Sequence, residues 1–160
     1  MEFTIPQSLK SEHEELHREL AEATSAGGKT GPAATAVAQE LHPHFLKEEE
    51  YALPPLGLLS LLAEGKTATE MADVFKMTDR LKAELPQMLE EHKKIVALLG
   101  KLVAAAQEEK KPQYAHFAEK LQLHAKTEEE VLYPASILIG EYVKLLLKPN
   151  ARGMRLSTDI

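Results

Sequence analysis

The chain contains the same histidine–carboxylate motif twice. In each copy a histidine is followed four residues later by a glutamate and ten residues later by a proline, at His44, Glu48 and Pro54 and again at His124, Glu128 and Pro134. The two copies are 80 residues apart. A repeat restricts the architecture more strongly than local propensities do. We therefore expect two similar halves, each supplying one helix with this motif.

A second histidine repeats at almost the same distance. Glu12 and His13 return as Glu91 and His92, at a shift of 79 residues. In both copies the histidine lies in a stripe of apolar residues that advances in steps of three and four, which is the period of the inward face of a bundled helix. Each half is thus predicted to contribute a second helix that carries a single inward histidine.

The pattern predicts an all-α protein with an up-down-up-down four-helix bundle in which the second and fourth helices are kinked. Glycine and proline mark the expected helix boundaries and bends. The four predicted helices cover residues 4–6 to 27–28, residues 32 to 54–55 with a continuation over 56–63, residues 69–109 with a bend near Pro86, and a segment from Pro112 that is bent or broken at Pro134.

The repeated residues form a candidate metal site. Six of them fall on predicted inward faces, namely His13, His44, Glu48, His92, His124 and Glu128. Two buried carboxylates require a compensating charge, and no lysine or arginine occupies these positions. A pair of metal ions would supply that charge. Taken singly, each histidine is also compatible with a hydrogen-bonded core residue, and each histidine–glutamate pair with a solvated helix surface.

Composition restricts the remaining possibilities. The chain has no cysteine, which excludes disulfides, iron–sulfur clusters and thiolate zinc sites. A net charge of −6 argues against nucleic-acid binding. No stretch of about 18 apolar residues and no signal-peptide pattern is present, so we expect no membrane span and a cytoplasmic protein. Residues 1–160 are expected to form one domain, with residues 149–160 as a flexible tail.

At these residues the sequence resembles the hemerythrin family and the wider HHE cation-binding proteins. The resemblance implies two non-haem iron ions with an oxo or hydroxo bridge, terminal histidine ligands and bridging glutamates. In this chain those residues are His13, His44, His92 and His124, with Glu48 and Glu128 as the bridges. It also implies that O2 or a related ligand such as NO binds there, for storage, sensing or iron homeostasis. No nucleophile accompanies the site, which favours binding over enzymatic turnover.

The sequence departs from the oxygen-carrying hemerythrins at one ligand. Those proteins have a further histidine one turn along the third helix, where this chain has Val96, whereas the additional histidine here is His17 on the first helix. If His17 binds metal, it completes the coordination of the iron ion that we expect His13 and His44 to hold. The neighbouring residues Glu12, Glu49, Glu91 and Glu129 are candidate acceptors for the outer ring nitrogens. His42 and His116 are expected to be outer-layer or surface residues.

Two other functions fit parts of the sequence. Residues 13–17 match the H-E-x-x-H pattern of zinc metallopeptidases, in which two histidines bind zinc and Glu14 would be the general base. That hypothesis leaves the second half of the chain unexplained. A metal-free structural bundle is the other alternative. Ferritin-like di-iron proteins are disfavoured, because their Glu-x-x-His spacing occurs only once, from Glu14 to His17.

Overall fold

The computed structural model describes residues 1–148. Within this range the protein is entirely helical and contains no strand, as the sequence predicts. Residues 149–160, where we expected a flexible tail, lie outside the described residues. The described part of the chain forms four long helical segments that surround a common core.

The first helical segment is α1, which spans Gln7–Thr24. It begins directly after Pro6, whose carbonyl accepts hydrogen bonds from the first turn. It ends before Gly27 and Gly28, which have φ angles of +68° and +56°. Residues with a side chain rarely adopt these angles, so the paired glycines terminate the helix and reverse the chain.

The second segment changes its helical form at the repeated motif. Helix α2 spans Thr30–Lys47 and continues as a π turn over Glu48–Ala52. Leu53 donates its backbone N–H to the carbonyl of Glu48, five residues earlier. Pro54 follows and has no N–H to donate, so the regular hydrogen-bond ladder cannot continue there. A 3₁₀ helix, Pro54–Leu58, and the short helix α3, Leu59–Ala63, complete the segment.

The fourth segment repeats this change. Helix α5 spans Pro112–Thr127, a second π turn covers Glu128–Leu132, and α6 spans Tyr133–Leu146. Here Tyr133, the residue before the second repeated proline, donates to the carbonyl of Glu128. Both copies of the motif therefore place the glutamate at the first residue of a π turn, a feature that often marks functional sites.

The third segment is the longest. A 3₁₀ helix, Thr69–Asp73, leads into α4, which spans Val74–Glu108 and includes Pro86 within a single helix. Helix α4 packs against α2, α5 and α6, so the third segment contacts both the second and the fourth segments.

The predicted inward faces form the core. One apolar cluster contains Leu16, Val37, Ile95 and Leu121, from all four segments. This cluster lies on one side of the layer that contains the repeated histidines and glutamates. Two further clusters, one with Leu53 and one with Met88, lie on the opposite side of that layer. In every segment the polar residues therefore fall between apolar clusters. Within the described residues, no helix is long and apolar enough to span a membrane.

Candidate metal centre

The six repeated histidines and glutamates lie in one buried layer at the centre of the bundle. Their exposed fractions do not exceed 3%. Their donor atoms form two groups of four, each within a 4.8 Å limit, and both groups contain Glu48 and Glu128. The first group adds His13 and His124, and the second adds His44 and His92. The structure thus brings together all six residues, with the two carboxylates shared.

The pairing of the histidines differs from the sequence-based expectation. We expected His13 and His44 to serve the same ion, but Nε2 of His13 lies 3.1 Å from Nε2 of His124. The orientation of the ring accounts for this, because Nδ1 of His13 faces Glu49 of the second segment and Nε2 therefore faces His124 of the fourth. His44 of α2 correspondingly lies beside His92 of α4, with ring centroids 4.6 Å apart.

The inward-facing donor atoms have the spacing of ligands around a cation. The Nε2 atom of His124 is 2.7 Å from Oε1 of Glu128, and that of His44 is 3.1 Å from Oε1 of Glu48. The Nε2 atom of His92 is 3.3 Å from Oε2 of Glu128. Two ligands bound at about 2.1 Å and at right angles are about 3 Å apart. The observed separations therefore suit donors that share one metal ion.

The outer ring nitrogens show which ring atoms face the centre. Each Nδ1 atom contacts a glutamate on a neighbouring segment, in the pairs His13–Glu49 at 3.4 Å, His44–Glu91 at 3.1 Å, His92–Glu129 at 2.9 Å and His124–Glu12 at 2.9 Å. These are the four glutamates that the sequence offered as acceptors. A neutral imidazole that donates from Nδ1 has a lone pair on Nε2. The lone pairs of four histidine Nε2 atoms therefore face the same buried centre as the carboxylates of Glu48 and Glu128.

This convergence requires positive charge. Among the described residues, Oε2 of Glu48 and Oε1 of Glu128 are buried and accept no hydrogen bond of good geometry, although Nε2 of His124 lies 2.7 Å from the latter oxygen. Burial lowers the pKa of His92, but its contacts with Glu128 and Glu48 outweigh burial and raise the pKa to about 10. The pKa of His124 is raised to about 9 in the same way, chiefly by Glu128. The metal-free site would therefore hold protons where a cation fits, and its donor set suits a metal ion.

Tyr133 is a site residue that the sequence analysis missed. It is buried, and its hydroxyl donates a hydrogen bond to Glu48. The Oη atom is also 3.3 Å from Nε2 of both His44 and His92. Burial and the nearby Glu48 and Glu128 raise the pKa of Tyr133, so the phenol keeps its proton when no metal is present. The repeat gave no signal for it, because the equivalent residue before Pro54 is Leu53.

His17 lies outside both donor groups. It is half-buried, and its ring stacks on His42 with centroids 5.2 Å apart. The ring of Phe45 stacks on His13 at 4.2 Å and meets His17 edge-on at 4.8 Å. His13 and His17 belong to no common donor group among the described residues, so the zinc arrangement of the H-E-x-x-H pattern is not formed.

The remaining predicted positions lie further out. His42 and His116 are exposed, and Val96, which stands where oxygen-carrying hemerythrins have a ligand, is 42% exposed. These three residues therefore contribute nothing to the buried donor layer.

The sequence matches the family model described as "Hemerythrin HHE cation binding domain" over residues 4–136. The chain belongs to this hemerythrin family. The match includes all six donors and both repeated motifs. No curated protein and no solved structure matches the chain.

This hemerythrin domain has a cavity on one side of its donor layer. The cavity measures about 920 Å³, and its lining includes Lys10, His13, His17, Glu49 and Pro54. Lys10 and Glu49 are exposed, so the cavity reaches the surface. It therefore brings solvent to the side of the donor layer where His13 contacts Glu49.

Proposed function

We propose that this domain binds two non-haem iron ions, one in each donor group, and that it binds O2 or a related small ligand such as NO. The observation that carries this proposal is the sharing of Glu48 and Glu128 by both groups of four donors. Two carboxylates common to two sites can bridge a pair of ions. When bound, such an iron pair supplies open coordination positions and a reversible change of oxidation state.

The protein's own residues hold and orient the donors. Each outer glutamate keeps one histidine ring in the tautomer that presents Nε2 to the centre, and it increases the basicity of that ring. The apolar clusters at both ends of the donor layer shield those two ends from water. The ligand set therefore does not need to reorganise when metal enters.

We also propose that neighbouring segments run antiparallel, in the up-down-up-down order. The support is the order of their contacts. From Glu12 to Glu19 in α1, the partners in α5 descend from His124 to Lys120. In the other three pairs of neighbouring segments, residue numbers also rise in one segment as they fall in the other. The contacts are His13–Glu49 and His17–His42 between the first and second segments, His44–Glu91 and Tyr51–Glu84 between the second and third, and Asp79–Lys144 and His92–Glu129 between the third and fourth.

Metal analysis of the purified chain tests the proposed function. We expect about two irons per chain after loading with Fe(II) under anaerobic conditions, since there are two donor groups. A visible spectrum that changes on exposure to O2 or NO and returns on ligand removal would support reversible binding. One zinc per chain with peptidase activity that is lost in Glu14→Gln would instead support the metallopeptidase. A folded chain without affinity for iron would support the structural bundle.

A further inference from the structure

Tyr133 adds an oxygen donor to one side of the metal centre. Its Oη atom is 3.3 Å from Nε2 of His44 and 3.3 Å from Nε2 of His92, and its hydroxyl donates to Glu48. The phenol ring is fully buried beside His92, with ring centroids 5.7 Å apart. A single hydroxyl proton cannot satisfy two ring nitrogens and a carboxylate at once.

These separations are those of ligands on one ion. Two donors about 2.1 Å from a metal and at right angles lie about 3 Å apart, and Oη has this relation to both histidine nitrogens. Tyrosine is an established type of iron ligand in proteins. The position of Oη is therefore that of an additional ligand in the His44–His92 group.

The local backbone explains how Tyr133 reaches the centre. Tyr133 follows Glu128 by five residues across the second π turn. A π turn has more residues per turn than an α-helix, so residues five apart come close to the same face. The equivalent residue after the first π turn is Leu53, which has no donor atom and packs in an apolar cluster. At this pair of positions, therefore, only the second copy of the motif supplies an oxygen donor.

We propose that Tyr133 is a protein ligand of the metal ion held by His44 and His92, so that exogenous ligands bind at the His13–His124 side. This inference rests on the proposed function. When Oη binds the ion, the phenol O–H bond breaks, an oxygen–metal bond forms, and the proton passes to solvent; no electron transfer is required.

The location of the cavity agrees with this asymmetry. An iron ion that prefers about six ligands has one position left after two histidines, two carboxylates and a bridging oxygen. Tyr133 fills that position in the His44–His92 group. In the other group that position would stay available, and the cavity brings solvent to His13 of that group on its Glu49 side.

Resonance Raman spectroscopy of the iron-loaded, oxidised chain tests the ligand. We expect a visible phenolate-to-iron charge-transfer band, with enhanced tyrosine ring vibrations that shift when the protein contains ring-deuterated tyrosine. Tyr133→Phe should lose both. Tyr51→Phe is the matched control, because Tyr51 is equally buried but donates to Glu84 instead of a residue of the centre.

Azide titration tests the side of ligand binding. We expect about one azide per iron pair in the native chain and in Tyr51→Phe, and about two in Tyr133→Phe, because removal of the phenol opens the second position. Equal azide numbers in the native chain and Tyr133→Phe would overturn the assignment of the open side.

Iron content separates the two proposals. Two irons per chain without tyrosine vibrations in the native protein would overturn Tyr133 as a ligand and leave the proposed function intact. This comparison uses the native chain and therefore holds even if Tyr133→Phe fails to fold. A native chain that binds no iron would overturn both proposals.

Discussion

Glu12 lies 2.9 Å from Nδ1 of His124, a residue 112 positions later in the chain, although its sequence neighbour is His13. Glu91 behaves alike, because it contacts His44 and not the adjacent His92. Each glutamate–histidine pair in the sequence thus provides one histidine of the buried layer and an acceptor for a histidine on another helix. These contacts link the first segment to the fourth and the third to the second.

Loss of the acceptor should weaken metal binding. We expect Glu12→Gln to lower iron affinity by about 10- to 100-fold, because the His124 ring loses its charged partner and part of its basicity. Competition with a chelator of known affinity would measure this. Glu14→Gln is the control, since Glu14 is exposed two residues away and the four rings of the centre bond to other glutamates within the described part of the chain. Equal affinities in the two variants would contradict the role of Glu12.

Removal of one histidine should empty one side of the centre. His124→Ala should bind about one iron per chain, because the first donor group keeps only one nitrogen, and His92→Ala should do the same for the second group. Metal analysis after gel filtration gives the stoichiometry. His116→Ala, at an exposed position near the start of α5, is the control and should bind two. Full occupancy in both core variants would refute these ligands.

His17 was predicted as a ligand, and its placement gives a definite expectation. Since its ring stacks on His42 outside both donor groups, His17→Ala should keep about two irons per chain. Metal analysis of His17→Ala and His13→Ala in parallel tests this expectation, because His13→Ala should lose one iron per chain. Loss of one iron in His17→Ala would instead establish the ligation that the sequence suggested.

Gly140 permits close packing of α6 on α4. A Cβ atom at this position would lie 2.1 Å from Oγ1 and 2.6 Å from Cβ of the buried Thr78. Gly140→Ala should therefore destabilise the fold by about 1–3 kcal/mol through overpacking. Gly100→Ala is the control: its Cβ would meet nothing within 4 Å, so it should stabilise α4 by about 0.5–1 kcal/mol. Urea denaturation monitored by circular dichroism would measure both, and equal effects would contradict the packing argument.

Glu109 provides a pH-dependent contribution to stability. It accepts hydrogen bonds from the hydroxyl and backbone N–H of Thr30 and from the backbone N–H of Lys29, at the start of α2. These bonds lower the pKa of Glu109 to about 2, from an ordinary value of 4.5. The contribution is therefore present above about pH 4.5 and is lost as the pH falls towards 2.

Thermal unfolding of the metal-free chain tests this contribution. Glu109→Gln should unfold at a lower temperature than the native chain at pH 7, and the difference should shrink towards pH 2. Glu108→Gln is the control, because among the described residues Glu108 makes a single, exposed ion pair, with Lys29. A difference for Glu109→Gln that does not change with pH would contradict the assignment.

The sequence alone determined the helical class and the six polar residues that share the buried layer. Helical periodicity decides which residues share a face, so the stripes through His13 and His92 and the repeated motif at His44 and His124 could be read without coordinates. The resemblance to the hemerythrin family rested on the same residues, and the family match over residues 4–136 confirms it.

Only the tertiary structure decided how these residues combine. Periodicity orients a side chain within its own helix but does not state which inward side chain of a neighbouring helix it meets. The expected pairing of His13 with His44 was therefore wrong, and His13 meets His124. The approach of Tyr133 depends on a π turn, in which hydrogen bonds are rearranged before a proline. Contacts between distant segments arise from packing, and packing is a property of the assembled bundle.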